Sequence, residues 1–280
     1  MCRLGIYVSI GQYKFLEEYI RAFYLASIND IALEKLRYGR RSHNHGWGFI
    51  YIAKRFNNLS LSWYKTSLPI MDRDVETILK NTISLDADWI AINIHSRLTS
   101  REPIDILNSH PFYVSIPGKI SLWLIHNGSV DKEKISKILG LDNIKDLYAD
   151  SYFLANLIAR NLNSLNNNDI IEVFRSLIDM DITTSALNLS ILSIDEKTKE
   201  ISIAILNYMV QDVLDDNNMR EYYNIYIANI DSKTFIAGSS TVMWYLTKIV
   251  KIAIQPLSNG ELIIIKPYEN SLEISSFKLL

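Results

Sequence analysis

The sequence is short of cysteine, since Cys2 is the only one among 280 residues. A lone thiol cannot form a disulfide within its own chain, which excludes the small secreted domains that disulfides hold together. Zinc sites built on a cysteine cluster are excluded too, and the five histidines have no standard zinc spacing. We therefore expect a protein of a reducing compartment, the cytoplasm, without a metal centre.

Long hydrophobic runs and an excess of one charge are also missing. No apolar stretch approaches the ~18 residues of a membrane-spanning helix. The N-terminus has no basic region followed by an apolar one, the pattern of a secretory signal. The net charge is -2, and no long basic run is present. These absences argue against a membrane and against a nucleic acid as partner.

Nucleotide-binding and cofactor motifs are missing as well. The ten glycines form no Gly-x-x-x-x-Gly-Lys loop, no Gly-x-Gly-x-x-Gly fingerprint and no Gly-x-Ser-x-Gly nucleophile elbow. We therefore expect no cofactor. Apolar residues, by contrast, are abundant: 48% of the chain is hydrophobic and 21% is charged. This composition supports a large core and argues against global disorder.

The hydrophobic pattern predicts strands towards both ends of the chain and helices between them. Strands are predicted over 3–10, 49–53, 59–64, 89–95, 120–126, 186–194, 201–206, 222–230, 234–236, 252–255, 262–265 and 272–275. Helices are predicted over 13–28, 30–36, 72–84, 131–139, 151–165 and 170–180, with loops or connectors over 42–48, 108–112 and 212–220. Such an order suits stacked sheets covered by helices. We expect one domain over 2–280, although the composition also changes near residue 185.

Cys2 would become the first residue if Met1 were removed, and one residue would then carry both a thiol and a free α-amine. The thiolate is the reactive form, yet an unperturbed thiol has a pKa near ~8.5 and is mostly protonated at neutral pH. An α-amine, with a pKa of roughly 7.7–8.0, can accept that proton. The alternative is that Cys2 is a small buried hydrophobic residue, as free cysteines commonly are.

Three further positions admit a structural and a catalytic interpretation. Asn127-Gly128 is typical of a two-residue hairpin turn, but a side-chain amide beside a glycine N–H is also suited to stabilise an oxyanion. Arg97 fits a surface ion pair, or a fork that binds a carboxylate through two hydrogen bonds. Asp150 fits a helix cap, or a carboxylate that faces a substrate ammonium group.

In chain order these residues form a series of short motifs. The series is Cys2-Arg3-Leu4, His45-Gly46-Trp47-Gly48, His95-Ser96-Arg97, His110-Pro111-Phe112, His126-Asn127-Gly128 and Asp150-Ser151. It resembles the class II glutamine amidotransferases, N-terminal-nucleophile hydrolases whose mature chain starts with Cys. Within them it looks most like the stand-alone proteins with a Gly-Trp-Gly motif. The resemblance is clear from Cys2 to Asp150 and weaker beyond.

The resemblance implies an α+β fold, a four-layer αββα sandwich of two antiparallel sheets between helix layers. It implies that Cys2 attacks the side-chain amide of glutamine, while Asn127 and Gly128 stabilise the oxyanion. Arg97 would bind the α-carboxylate of glutamine, and Asp150 its α-ammonium group. The remaining implied site residues are Thr99 and Ser100, beside the substrate, and His45, Gly46, Trp47, Gly48 and His126, near the nucleophile.

Three functions stay open on the sequence alone. The first is hydrolysis of glutamine through a γ-glutamyl thioester, which yields ammonia and glutamate; any acceptor or synthase would be a partner subunit, because the chain has no synthase motif. The second is hydrolysis of another γ-glutamyl or peptide amide, since contacts to the glutamate head would be identical. The third is an idle scaffold that binds a partner, which would leave Cys2, Arg97, Asn127 and Asp150 unexplained.

Overall fold

The computed structural model describes residues 2–11, 13–36, 39–56, 58–83, 86–99 and 102–280. The strands are β1 (Cys2–Ile10), β2 (Trp47–Arg55), β3 (Asn58–Thr66), β4 (Trp89–Arg97), β5 (Phe112–Ile116), β6 (Ile120–Val130), β7 (Thr183–Asp195), β8 (Ile201–Asn207), β9 (Ile225–Asp231), β10 (Thr234–Ser239), β11 (Gln255–Pro256), β12 (Glu261–Pro267) and β13 (Leu272–Lys278). The helices are α1 (Leu16–Ile28), α2 (Ile31–Leu36), α3 (Asp72–Ile83), α4 (Lys132–Leu139), α5 (Asp150–Asn161), α6 (Asn167–Asp179), α7 (Gln211–Asp215), α8 (Asn217–Tyr223) and α9 (Ser240–Ile249).

The strands form two antiparallel sheets. The first sheet has the order β11-β9-β10-β1-β4-β2-β3, and the second has the order β13-β12-β8-β7-β6-β5. β1 lies inside the first sheet, paired with β4 on one side and with β10 on the other. The two sheets with helices confirm the predicted α+β class.

No helix among the described residues is both long and apolar enough to cross a membrane.

The core has three main apolar layers, and the alternation of side chains along β1 explains two of them. Leu4, Ile6 and Val8 belong to the layer between the sheets. Tyr7, on the opposite face of β1, belongs to the layer between the first sheet and α1, α3 and α9. A third layer joins the second sheet to α4, α5 and α6. The sheets are therefore stacked face to face, with helices on both outer surfaces.

The half of the chain after residue 185 is interleaved with the first half. β7 pairs with β6 along most of its length, and β10 lies beside β1. The composition change near residue 185 thus falls within β7, in the middle of a sheet.

Several predicted elements differ from those observed. Asn127 and Gly128 lie within β6 rather than in a turn, because β6 continues to pair with β7 beyond His126. Trp47 and Gly48, predicted as loop, begin β2, where they pair with β3 and β4. The segment Phe112–Ile116, not predicted as a strand, forms the sheet edge β5 against β6. In each case pairing with a neighbouring strand decided the conformation.

The region 211–249 contains three helices that the local pattern did not predict. The Asp216 carboxylate accepts hydrogen bonds from the backbone N–H groups of Asn218 and Met219, which starts α8 and places Tyr222 and Tyr223 in a helix rather than in a strand. α9 is rich in aromatic and β-branched residues, which favour strands locally. Its buried residues Val242, Met243 and Leu246 nevertheless share one helical face in the core with α1, so tertiary packing overrides propensity.

Candidate active site

Cys2 lies where the two sheets meet at one end of the sandwich. It is the first residue of β1, opposite Arg97 of β4 in the strand register, and the residue is 7% exposed. Its backbone nitrogen donates a hydrogen bond of 2.9 Å to Oδ1 of Asn127, which belongs to β6 of the other sheet. The ends of β1, β4 and β6 are thereby brought together around the thiol.

A cavity of about 150 Å³ opens beside the thiol. Its lining residues are Cys2, Arg97, Leu98, Thr99, Glu102, His110, His126, Gly128, Ser129, Ala149, Asp150 and Ser151. Positions separated by almost 150 residues in the sequence therefore share one cavity. Ser100, also assigned to the site, lies outside the described residues.

The amide of Asn127 is oriented by its bond to Cys2. Because Oδ1 accepts from the Cys2 nitrogen, the NH2 end of the same amide is directed elsewhere, and Nδ2 is buried without a hydrogen-bond partner among the described residues. Gly128 follows with a φ of +155°, and a Cβ at this position would collide with the carbonyl of Ala186. The site therefore holds an unpaired amide donor next to a position that requires glycine.

Arg97 and Asp150 present opposite charges to the cavity. Arg97 is 3% exposed, and its Nη1 donates a hydrogen bond of 2.8 Å to the carbonyl of Pro103. Its Nη2 is buried and has no partner among the described residues. Asp150 begins α5 and accepts hydrogen bonds from the backbone N–H of Val130 and from the Ser151 hydroxyl. Both groups are held in place by backbone contacts that leave hydrogen-bonding capacity for a ligand.

The surroundings of Cys2 favour its thiolate. Burial alone would raise the pKa of the Cys2 thiol, but the positive charge at the chain terminus and the His95 imidazole outweigh it and hold that pKa well below the ordinary value. A hydrogen bond from the backbone of Leu98 acts in the same direction. A thiol of lowered pKa therefore lies beside an unpaired amide donor, an arrangement suited to acyl transfer.

Thr99 and His45 form one unit at the edge of the cavity. The Thr99 N–H donates 3.0 Å to Nδ1 of His45, and the Thr99 hydroxyl accepts from the backbone of Glu102. The backbone of His45 is joined to the carbonyl of Arg97 at 3.0 Å. Thr99 lines the cavity, whereas His45 holds the backbone of Arg97 and Thr99 in place through these hydrogen bonds.

The Gly46-Trp47-Gly48 segment supports the site from the strand side. A Cβ at Gly48 would collide with the carbonyl oxygens of His110 and Tyr64, and Gly46 has a φ of +119°. These glycines let β2 pass directly against the segment that carries His110. The Trp47 ring packs on Phe49 and Tyr64 and is not among the side chains that line the cavity.

Several residues of the cavity region carry no signal in the sequence. Glu102 forms an ion pair of 3.0 Å with Lys132 across the cavity rim, and Lys132 also donates to the carbonyl of Tyr148. The Ser151 hydroxyl bridges Nδ1 of His126 and Oδ1 of Asp150. None of these pairs has a characteristic spacing in the sequence.

Among the described residues, no group of His, Cys, Asp and Glu side chains is arranged to hold a metal ion.

Comparison with known proteins identifies the fold. No family model matches the chain, and no curated protein matches its sequence. Among solved structures, one described as the allosteric regulatory enzyme of purine biosynthesis is similar at 14% identity with a TM-score of 0.58. Another, the glutamine phosphoribosylpyrophosphate amidotransferase from B. subtilis complexed with ADP and GMP, is similar at 15% identity with a TM-score of 0.51. Each alignment covers 100% of this chain and 49% of the other, so this chain spans about half of those proteins. At these identities the likeness establishes a shared fold.

Proposed function

We propose that the protein hydrolyses the side-chain amide of glutamine, with Cys2 as the nucleophile, and releases ammonia and glutamate. The observation that carries this proposal is the cavity beside Cys2. There a thiol of lowered pKa, an unpaired Asn127 amide, the half-paired Arg97 guanidinium and the oriented Asp150 carboxylate converge. An amino acid with a side-chain amide offers one complementary group to each of them.

The mechanism follows from these groups. Arg97 binds the α-carboxylate of glutamine through the donors that Pro103 leaves free, and Asp150 binds the α-ammonium group. The Cys2 sulfur adds to the amide carbon, and the developing negative charge on oxygen is stabilised by Nδ2 of Asn127 and the Gly128 N–H. Ammonia leaves from the tetrahedral intermediate, and water hydrolyses the resulting γ-glutamyl thioester. The α-amine of Cys2, freed by removal of Met1, serves as base.

The fold supports this proposal, because one similar structure is a glutamine amidotransferase by name. We infer that residues 2–280 form a single domain of the class II amidotransferase type, a family of N-terminal-nucleophile hydrolases, and that it is a stand-alone Gly-Trp-Gly member acting in the cytoplasm. If the ammonia is used for synthesis, a partner subunit supplies the acceptor site. Hydrolysis of other γ-glutamyl or peptide amides by Cys2 is the alternative.

The experiment that tests the proposal is trapping with an electrophilic analogue of glutamine, followed by mass spectrometry of the intact protein and of its peptides. We expect a single adduct on Cys2, on chains that have lost Met1, and protection by free glutamine. Cys2→Ser, which is nearly isosteric but far less nucleophilic, should form no adduct and lose turnover by orders of magnitude.

Two results would contradict the proposal. One is full glutaminase activity in material that retains Met1, since its α-amine would lie one residue away from the thiol. The other is faster release of amine from γ-glutamyl peptides than of ammonia from glutamine, which would favour the alternative substrate class.

A further inference from the structure

Arg97 keeps an unpaired nitrogen although carboxylates of its own chain lie close by. Its Nη2 is buried without a hydrogen-bond partner among the described residues, and its Nη1 donates to the carbonyl of Pro103. Glu102, which directly precedes Pro103, lines the same cavity as Arg97. Burial lowers the pKa of Arg97, whereas the negative charges of Glu102 and Asp105 act to raise it, so both carboxylates lie within electrostatic range of the guanidinium.

An arginine in such surroundings ordinarily pairs with a carboxylate through two hydrogen bonds. Neither Glu102 nor Asp105 does so, since Nη2 of Arg97 has no partner in the described part of the chain. The contacts that each carboxylate makes instead explain why this nitrogen stays available.

Asp105 is occupied by a neighbour on its own segment. Its Oδ1 accepts hydrogen bonds from the backbone and side-chain N–H groups of Asn108, at 2.8 and 3.0 Å. Its Oδ2 accepts from the same side chain at 3.0 Å. Asn108 is itself buried and also donates to the carbonyl of Leu147. Both oxygens of Asp105 are therefore bound by an uncharged and firmly held partner.

Glu102 is occupied by a charge. Nζ of Lys132, the first residue of α4, donates hydrogen bonds of 3.0 Å to both carboxylate oxygens of Glu102. The same nitrogen donates to the carbonyl of Tyr148 at 3.2 Å. The two side chains are only 20% and 23% exposed, so solvent and salt screen this pair less than a surface pair. Lys132 therefore neutralises the carboxylate of Glu102 and holds it at the cavity rim.

We propose that Lys132 is a positioning residue for the carboxylate site: by binding Glu102 it keeps that side chain off Arg97 and leaves the guanidinium to the substrate. The proposal rests on the function proposed above, in which Arg97 binds the α-carboxylate of glutamine. The Glu102 side chain and the substrate α-carboxylate are the same chemical group, so they compete for the same donors once Lys132 is removed. The arrangement favours a small amino acid whose α-carboxylate is free.

The test is a double-substitution cycle on two quantities: KM for glutamine, measured by ammonia release, and Kd for glutamate, measured by calorimetry. Lys132→Met removes the ammonium charge, keeps the apolar stem and releases Glu102. We expect both KM and Kd to rise by about 10-fold, the effect of one hydrogen bond to a charged group. The value of kcat should change little, because Lys132 is not among the residues that line the cavity.

Addition of Glu102→Gln to Lys132→Met separates competition from a structural role. The glutamine keeps the shape of Glu102 but cannot compete as an anion, so KM and Kd should return close to the wild-type values. If the ion pair only joined two segments of the chain, the double variant would lack the same link as Lys132→Met. Its KM and Kd would then stay raised, because a lost link is not restored by removing the second partner.

Lys145→Met is the matched control. Lys145 forms an ion pair with Glu133 of the same helix, and neither residue lines the cavity, so KM and Kd should equal those of the wild type. Melting temperatures of all variants separate changes in binding from loss of fold. If Lys132→Met does not fold, Lys132→Gln removes the same charge, keeps an N–H donor for the Tyr148 carbonyl, and carries the same expectation.

Unchanged KM and Kd in the folded Lys132 variant would overturn the proposal, and so would the absence of rescue in the double variant. Either result can occur in a protein whose wild type hydrolyses glutamine normally. Failure of the proposed function gives a different result, because the wild type itself then releases no ammonia from glutamine. A wild type that also binds no glutamate overturns both.

Discussion

At the scale of single residues, Asn127 shows how one side chain organises the site. Its Oδ1 accepts from the nitrogen of Cys2, and the planar amide then fixes the direction of Nδ2, which is buried and unpaired among the described residues. The same group thus holds the backbone of Cys2 and presents a donor beside it. Preorganised donors of this kind contribute roughly 2.7–4 kcal/mol to an acyl-transfer transition state.

Arg97→Lys tests whether Arg97 binds the α-carboxylate of glutamine. Nη1 of Arg97 donates a hydrogen bond to the carbonyl of Pro103, and the rest of the guanidinium is available to the substrate carboxylate. A lysine has a single ammonium group, so it cannot bind this carbonyl and also offer a planar pair of donors to the carboxylate. We expect KM for glutamine to rise by about 10-fold or more, with a smaller effect on kcat, as measured by steady-state ammonia release. An unchanged KM would remove Arg97 from the binding site.

A site residue could be predicted from the sequence when its residue type alone indicates its chemistry. Cys2, Arg97 and Asp150 carry a nucleophile, a cationic fork and a carboxylate, and they line the same cavity. The Glu102–Lys132 pair joins two common residue types across 30 positions, and only the folded chain brings them together. The contact between the tilted rings of His95 and His110 likewise forms only when the strands pair.

At the scale of elements, the approach of β2 to the segment before β5 depends on Gly48. A Cβ there would meet two backbone carbonyls, which cannot rotate away as a side chain would. We expect Gly48→Ala to destabilise the protein by about 1–3 kcal/mol, the usual cost of overpacking, and to lower activity by displacing His110. Urea unfolding and ammonia release measure the two effects.

Gly238→Ala is the control for this substitution. It lies in β10, and the nearest atom to its added Cβ would be 3.3 Å away, so a small adjustment accommodates it. If Gly48→Ala is no more destabilising than Gly238→Ala, then Gly48 is not needed for the close approach of β2 to the segment before β5.

A buried ion pair joins β1 to the helices on the face opposite the cavity. The Asp30 carboxylate accepts from Nε of Arg3 at 2.5 Å, from Nε2 of His43 at 2.6 Å and from the hydroxyl of Thr241 at 2.6 Å. The Arg3 guanidinium also lies 3.9 Å from the centre of the Tyr222 ring. Because Arg3 follows Cys2 directly, this network fixes the strand end that carries Cys2.

Asp30→Asn is expected to cost about 3–5 kcal/mol, because it leaves the Arg3 charge buried without a counter-charge. Burial alone would raise the pKa of Asp30, but Arg3 and His43 outweigh it and lower that pKa far below the ordinary range. The stabilisation is therefore present above the unfolded pKa of about 3.9 and is lost as the pH falls below it. Urea unfolding should show a weaker pH dependence in acid for Asp30→Asn.

The matched control for Asp30→Asn is Asp231→Asn. Asp231 pairs with Lys14 on the surface, and exposed pairs contribute about 0–1 kcal/mol. Equal losses in the two variants would show that burial of the Arg3–Asp30 pair does not matter for stability.

Helices and strands, like site residues, could be predicted from the sequence only where local residue types determine them without contacts from distant parts of the chain. β1 and β4 were predictable because their apolar residues are nearly continuous, as expected for strands buried on both faces. α9 was not predictable, since its composition favours a strand and only its packing against α1 makes it helical. β5 has just five residues, too few for a period to be measured.

At the scale of the whole molecule, the two ends of the chain depend on each other. The strand β1, which begins at Cys2, lies between β4 and β10, and β10 is separated from β1 by more than 220 residues. The Leu4 N–H also donates to the side chain of Ser239 at the end of β10. The position of Cys2 is therefore fixed by residues from the far end of the sequence, which no motif near Cys2 reveals.

This dependence predicts different outcomes for two truncations. A chain ending at Lys233 lacks β10, α9 and the strands that follow, so β1 becomes an edge and both sheets lose members. We expect it to show no cooperative thermal transition and no selective alkylation of Cys2. A chain ending at Tyr268 lacks β13, the half-exposed edge of the second sheet. It should unfold cooperatively at a lower temperature and retain Cys2 reactivity, because every neighbour of β1 is still present. Cooperative unfolding of the shorter chain would instead show that the first 233 residues fold independently, and the interleaving of the two halves would then not be what holds Cys2 in place.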